Sequence, residues 1–272
     1  MELMRNVTIG QYVPGSSALH RLDPRVKILL LMLMVLQIFL ISQWWLIFLP
    51  FLFFLAVTAV SGLTFRYVLR GLRAVVMLVL ITFLFNVFLT PGHPLWTFWC
   101  FTVTYEGFTF GLLMAMRLIL IVLATSLLTL TTSPIQITDA LEDLMKWGKP
   151  LRIPVHEVAM MMSIALRFIP TLMEQLEKII KAQMARGADF ERGSLIERVK
   201  SFIPILVPLF VQAFRHADEL AVAMEARCYR GGEGRTRLRI LKMGLNDFTA
   251  VALTGAFCIL LCFVDGMKIR GL

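Results

Sequence analysis

The chain has 272 residues, 58% of them hydrophobic and 17% charged, with a formal net charge of +9. Soluble domains hold roughly 45–50% apolar residues, so the composition excludes an ordinary water-soluble domain and reads as an integral membrane protein. The basic residues flank apolar runs and crowd positions 146–243; the positive-inside rule accounts for the charge and makes nucleic acid unnecessary as a partner.

A bilayer crossing needs about 20 apolar residues in a helix, and four to five runs approach that length. Arg5, His20, Arg21 and Arg25 precede the first run, so no cleaved signal peptide is expected and the first span reads as an uncleaved anchor. From Ile28 to Val60 the chain is almost continuously apolar, too long for one crossing and just long enough for two short ones turning at Ser42-Gln43-Trp44-Trp45. Charge parity supports the hairpin, because two crossings return Arg66, Arg70 and Arg73 to the side of Arg21, Arg25 and Lys27. A third span is expected from about Ala74 to Leu89. The loop from Thr90 to Tyr105 holds Pro91 and Pro94 but no Lys or Arg, which places it outside with Trp96 and Trp99 at the interface. The fourth span, about Phe108 to Leu130, carries Arg117 inside its apolar run, and the last, about Leu245 to Val264, ends at Asp265-Gly266. A charge within a span marks function by default. Arg117 has no acid on its own helix, however, and is read as a structural residue of the bundle that snorkels or bonds Asn86.

The stretch between the fourth and last spans is then cytoplasmic. Ser133-Pro134-Ile135-Gln136 reads as a capping box with Pro at the first helical position, opening a short helix to about Trp147. A long amphipathic pattern follows from about Val155 to Arg186, with Pro170 expected to kink it. Gly187 is a stop signal, Ser194-Leu195-Ile196-Glu197 a second capping box, and the helix it opens is expected to run to about Arg227 past Pro204 and Pro208. At 1.5 Å per residue each arm is on the order of 45–50 Å long. The apolar stretches 158–166 and 202–214 are shorter than a spanning helix needs; they read as interfacial or as a groove for another helix. The expected fold is therefore an all-α integral membrane protein, with about five transmembrane helices and a cytoplasmic coupling domain of long amphipathic helices. It divides into a membrane region 1–132, a coupling region 133–243, and a final span with its tail, 244–272.

The arms end alike. Aligned on their arginines, Glu177-Lys178-Ile179-Ile180-Lys181-Ala182-Gln183-Met184-Ala185-Arg186 and Asp218-Glu219-Leu220-Ala221-Val222-Ala223-Met224-Glu225-Ala226-Arg227 share the acid, the branched apolar residue and both alanines. A single arginine in a last helical turn is explained by the macrodipole and the final carbonyls. Two such ends say more, because small alanines beside a long cation let a helix tip enter a cleft while the guanidinium reaches acidic or carbonyl acceptors.

On these motifs the chain resembles the transmembrane T components of energy-coupling-factor (ECF) transporters, a class of ABC importer for vitamins and trace metals. Supporting marks are His20-Arg21-Leu22-Asp23-Pro24-Arg25 and Leu128-Thr129-Leu130-Thr131-Thr132-Ser133-Pro134. The resemblance implies that Ala185-Arg186-Gly187 and Ala226-Arg227-Cys228 dock onto two ATPase subunits, identical or paralogous. ATP and magnesium would be held by those ATPases, with no cofactor in this chain. It further implies a separate substrate-binding S component as partner, and a prokaryotic plasma membrane with the N-terminus and coupling region cytoplasmic and the C-terminus outside. Cys228 stands where the family usually has glycine. Cysteine adopts a left-handed cap less readily, so the second arm is expected to continue to Tyr229-Arg230-Gly231-Gly232.

The residues offer no catalytic alternative. Gly148-Lys149 is followed by proline and lacks the upstream glycine of a Walker A loop, and Gly231-Gly232-Glu233-Gly234 follows a helix rather than a strand. His20, His93, His156 and His216 show no metal spacing, and the four cysteines read as packing residues. The rival reading is a secondary transporter or channel acting on its own substrate. It calls for inverted repeats, broken spans and several intramembrane acids, none of which is evident.

Overall fold

The computed structural model describes residues 12–62, 64–98, 101–145, 154–188, 195–231 and 243–269. In chain order the elements are α1 (Ala18–Arg21), α2 (Pro24–Leu40), α3 (Phe48–Val60), α4 (Phe65–Arg73), α5 (Val76–Leu89), β1 (Pro94–Phe98), β2 (Phe101–Thr104), α6 (Tyr105–Thr131), α7 (Pro134–Met145), α8 (Val155–Ala185), α9 (Leu195–Ala226) and α10 (Leu245–Ile269). The chain divides into two compact units, Met1–Ala140 with Arg239–Leu272, and Leu141–Leu238.

The first unit is the membrane bundle. Its central element is α6, whose Leu113, Leu120, Leu123, Leu127 and Leu130 are buried together with Met34 and Ile38 of α2, Phe54 of α3, Val68 of α4 and Cys258 of α10. The outer faces are as apolar as the interior: Met77, Leu80 and Phe85 of α5 and Leu253, Ile259 and Phe263 of α10 are exposed. A helix apolar all round is stable only when lipid or another membrane subunit surrounds it.

Three helices are individually long and apolar enough to cross a membrane: α6, α8 and Leu245–Gly266 of α10. Tyr67–Arg73 and Val76–Leu89, bent by 51° at their junction, make a fourth crossing if taken as one span. The expected hairpin is present, with α2 and α3 joined through Ser42-Gln43-Trp44-Trp45. At 17 and 13 residues, the two helices extend only about 25 and 20 Å, below the roughly 30 Å of a hydrocarbon core. Among the arms, α8 reaches the length and apolarity of a crossing, but its second half carries Glu174, Glu177, Lys178 and Lys181.

Two elements differ from expectation. The arginine-bearing segment before the third span is itself a helix, α4, and the loop after it folds into an antiparallel hairpin, with Trp96 opposite Val103 and Phe98 opposite Phe101. Trp99 lies outside the described residues. The hairpin leads into α6 through Thr104, whose hydroxyl accepts from Gly107 N at 3.1 Å and donates to Thr90 O at 2.8 Å. Beyond this cap α5 and α6 approach closely, because a Cβ on Gly107 would stand 2.8 Å from Asn86 O and one on Gly111 would stand 3.2 Å from Phe83 O. Gly107 and Gly111 form the four-residue glycine spacing that lets membrane helices touch backbone to backbone.

In the second unit α8 and α9 pair antiparallel. Ile164 lines the same cavity as Met224, Gln175 bonds His216, and Gln183 bonds Pro204, so that α9 numbers fall as α8 numbers rise. Both helices run unbroken through their prolines, Pro170 in α8 and Pro204 and Pro208 in α9.

Candidate functional site

The two arms end in the same hydrogen-bonded cap. At the end of α8, Gly187 N donates to Met184 O at 3.0 Å and Ala188 N to Gln183 O at 3.0 Å, with Gly187 at φ +87°. At the end of α9, Cys228 N donates to Glu225 O at 2.8 Å and Tyr229 N to Met224 O at 3.1 Å, with Cys228 at φ +56°. These are Schellman caps, in which a left-handed residue turns the chain back so that the last carbonyls of the helix are satisfied.

The expected extension of α9 past Cys228 is therefore corrected, because the helix stops at Ala226. Cys228 takes the left-handed conformation that glycine takes in the first copy. A side chain costs roughly 1–2 kcal/mol there, and two closing bonds on otherwise orphaned carbonyls oppose that cost.

Both caps hold Arg186 and Arg227 at equivalent places, one residue past the last helical turn. Ala185, Arg186 and Gly187 are exposed, as are Ala226, Arg227 and Cys228. Among the described residues no hydrogen bond or ion pair engages either guanidinium. Lys181, one turn before Arg186, is instead paired with Glu177 at 2.7 Å. Each arm thus presents an unengaged cation flanked by small residues. Of the second capping box, Ser194 lies outside the described residues, whereas the first is formed: Ser133 N donates to Gln136 Oε1 at 3.0 Å and Gln136 N to Ser133 Oγ at 3.4 Å.

The two supporting motifs of the membrane unit meet in space. Asp23 caps α2, accepting from Arg25 N at 2.9 Å with Pro24 in the first turn. Its own N–H donates to Asp247 Oδ1 of α10 at 2.8 Å, and Gly244 N donates to the other oxygen of that carboxylate at 2.7 Å. The buried Lys27 ammonium donates to Thr131 O at 3.1 Å and Thr132 Oγ1 at 3.2 Å, at the end of α6. His20, on the same entering segment, bonds Val13 O and Ser17 Oγ at 3.0 and 2.6 Å. This joint ties the start of α2, the end of α6 and the start of α10. Asp247 is a member that the sequence motifs do not include, and its early place in a helix with a glycine three residues before it is the local signal for it.

Arg117 does not bond Asn86. Its guanidinium donates to Phe39 O at 3.2 Å and Ile41 O at 3.0 Å, capping the end of α2, and lies 5.4 Å over the Phe39 ring. Asn86 donates instead to Thr82 O within α5 at 2.7 Å. A helix end in a bilayer lacks water for its last carbonyls, and Arg117 supplies donors there.

Residues 15–238 match the profile of the CbiQ family, described as Cobalt transport protein. The chain is 50% identical over 256 residues to the energy-coupling factor transporter transmembrane protein EcfT of Thermosediminibacter oceani, covering 94% of this chain and 97% of that one. It is 50% identical over 256 residues to EcfT of Ruminiclostridium cellulolyticum, covering 94% and 96%. With EcfT of Bacillus subtilis it shares 46% identity over 263 residues, covering 96% and 99%. The chain belongs to this family, the transmembrane T components of energy-coupling factor transporters.

Proposed function

We propose that the chain is the non-catalytic coupling scaffold of an ECF-type importer, in which Arg186 and Arg227 dock two ATPase subunits and the membrane bundle carries a substrate-binding S component. The observation that carries this reading is the pair of matching caps, each presenting an unengaged arginine between small exposed residues. ATP and magnesium belong to the ATPases, and the motion they generate enters through the arms. Residues 1–132 and 244–272 form the membrane part and 133–243 the coupling part. The N-terminus and arms face the cytoplasm and the C-terminus the outside of a prokaryotic plasma membrane, an orientation supported by the arginine clusters flanking the spans. The cargo, a vitamin or trace metal, is selected by the S component.

Co-purification from membranes with the two ATPases encoded by the same organism tests the docking roles. Reversing a desolvated interface charge costs about 2–5 kcal/mol or more, so Arg186→Glu with Arg227→Glu is expected to abolish ATPase recovery and uptake while the chain still inserts. Retention of both ATPases by the double variant overturns the docking assignment.

A further inference from the structure

The repeat that aligns the two arginines also aligns Gln175 with His216. Arg186 follows Gln175 by eleven residues, and Arg227 follows His216 by eleven. These two equivalent positions bond one another across the arms, Nε2 to Nε2 at 2.6 Å. A contact between equivalent residues of a repeat lies on a local two-fold axis. Contacts on either side agree: Gln183 Nε2 donates to Pro204 O at 3.2 Å, while their counterparts under the repeat, near Ile164 and Met224, line one cavity. Pro204 O is open to the other arm because residue 208, which would supply its helical donor, is proline and has no N–H.

The surroundings of this contact are loose. The Gln175 amide donates to His216 Nε2, which leaves the proton on Nδ1 facing Glu219 Oε2 at 3.3 Å. The Gln175 carbonyl oxygen is buried with no hydrogen-bond partner. The His216 ring stacks on Phe168 at 6.0 Å between centroids. Beside it lies a cavity of about 300 Å³ lined by Ile164, Phe168 and Leu172 of α8 and by Ala213, Ala217 and Ala221 of α9. Those alanines fall four residues apart on one face, and although Leu220 and Met224 also line the cavity, the space left beside His216 lets α8 turn where close packing would hold it.

We propose that the Gln175–His216 contact is the pivot of the two arms, with His216 a positioning residue that fixes their crossing and so sets the separation of Arg186 and Arg227. The consequence for transport rests on the docking reading, although the predicted geometry belongs to this chain alone. Because the arms run antiparallel from the pivot, the two arginines leave at opposite ends, separated along the helix axes by about 33 Å at 1.5 Å per residue. Each arginine lies eleven residues beyond the contact on its own helix, so a change of crossing at the pivot displaces both tips by the same amount.

The test measures the distance between spin labels at Cys228 and at Ala188→Cys in the full chain, with Cys100, Cys258 and Cys262 replaced by alanine, in lipid nanodiscs. The native pivot is expected to give one narrow distribution, His216→Leu a broadened or shifted one, and His216→Gln, which keeps a donor and an acceptor, a narrow one again. In the complex assembled with its ATPases and S component, His216→Leu is expected to keep ATP hydrolysis while uptake per ATP falls roughly tenfold, the equivalent of about 1.4 kcal/mol, and His216→Gln to restore it. An unchanged distance distribution in His216→Leu overturns the pivot whatever uptake does. If that variant does not fold, Gln175→Leu takes its place: a broadened or shifted distribution supports the pivot and an unchanged one overturns it. Failure of the native chain to recruit ATPases would instead overturn the docking reading and leave the distance result standing.

Discussion

Cys228 shows how a single residue carries a local conflict that the fold resolves. Its φ of +56° lies in the left-handed region, where a Cβ is disfavoured by roughly 1–2 kcal/mol. Continuing the helix would have avoided that conformation, but Gly231 and Gly232 lie immediately ahead, and each glycine weakens a helix by about 1 kcal/mol. The cap closes on Glu225 O and Met224 O instead. Cys228→Gly is therefore expected to keep the cap and relieve the conformation. Amide exchange at Cys228 and Tyr229 should slow about fivefold, the equivalent of about 1 kcal/mol. Faster exchange at these amides in the glycine variant would show that the cysteine side chain stabilises the turn. The motif was legible from its neighbours, while the conformation of its third residue was not, because it depends on hydrogen bonds closed by residues on both sides.

At the scale of elements, what could be read in advance followed from periodicity and caps. The bounds of α8, the start of α9, the capping box of α7 and the turn between α2 and α3 all come from local chemistry, in which apolar spacing, Ser-Pro, glycine and a polar break act within a few residues. The elements that escaped are those whose stability is not local. Helix α4 carries Arg66, Arg70, Gly71 and Arg73 in sequence with the buried Val68, and the β1–β2 hairpin exists through pairing. The same holds for the joint of Lys27 with Thr131 and Thr132 and of Asp23 with Asp247, whose partners are more than a hundred residues apart. The glycine spacing in α6 is plain in the sequence, but the helix it faces is not. Its consequence is testable: Gly107→Leu forces a side chain against the Asn86 and Val87 carbonyls. Overpacking of this kind costs typically 1–3 kcal/mol, so the thermal midpoint in nanodiscs should fall by several degrees. An unchanged midpoint would show that α5 and α6 separate without penalty.

For the molecule as a whole, the apolar bundle and the arm pair answer different needs. The bundle exposes apolar faces that lipid or a membrane partner must cover. The arm pair ends in two cations that, among the described residues, have no intramolecular partner, at equivalent places in a repeat whose centre is bonded across the two helices. Under the proposed docking role, this doubling makes the two ends separable. Native mass spectrometry of the complex, recording ATPase subunits retained per T component, counts the docking ends one by one. Two ATPases are expected on the native chain, one on Arg186→Glu, one on Arg227→Glu and none on the double variant. Two ATPases retained by the double variant, or both lost from either single variant, would contradict independent docking by the two arms.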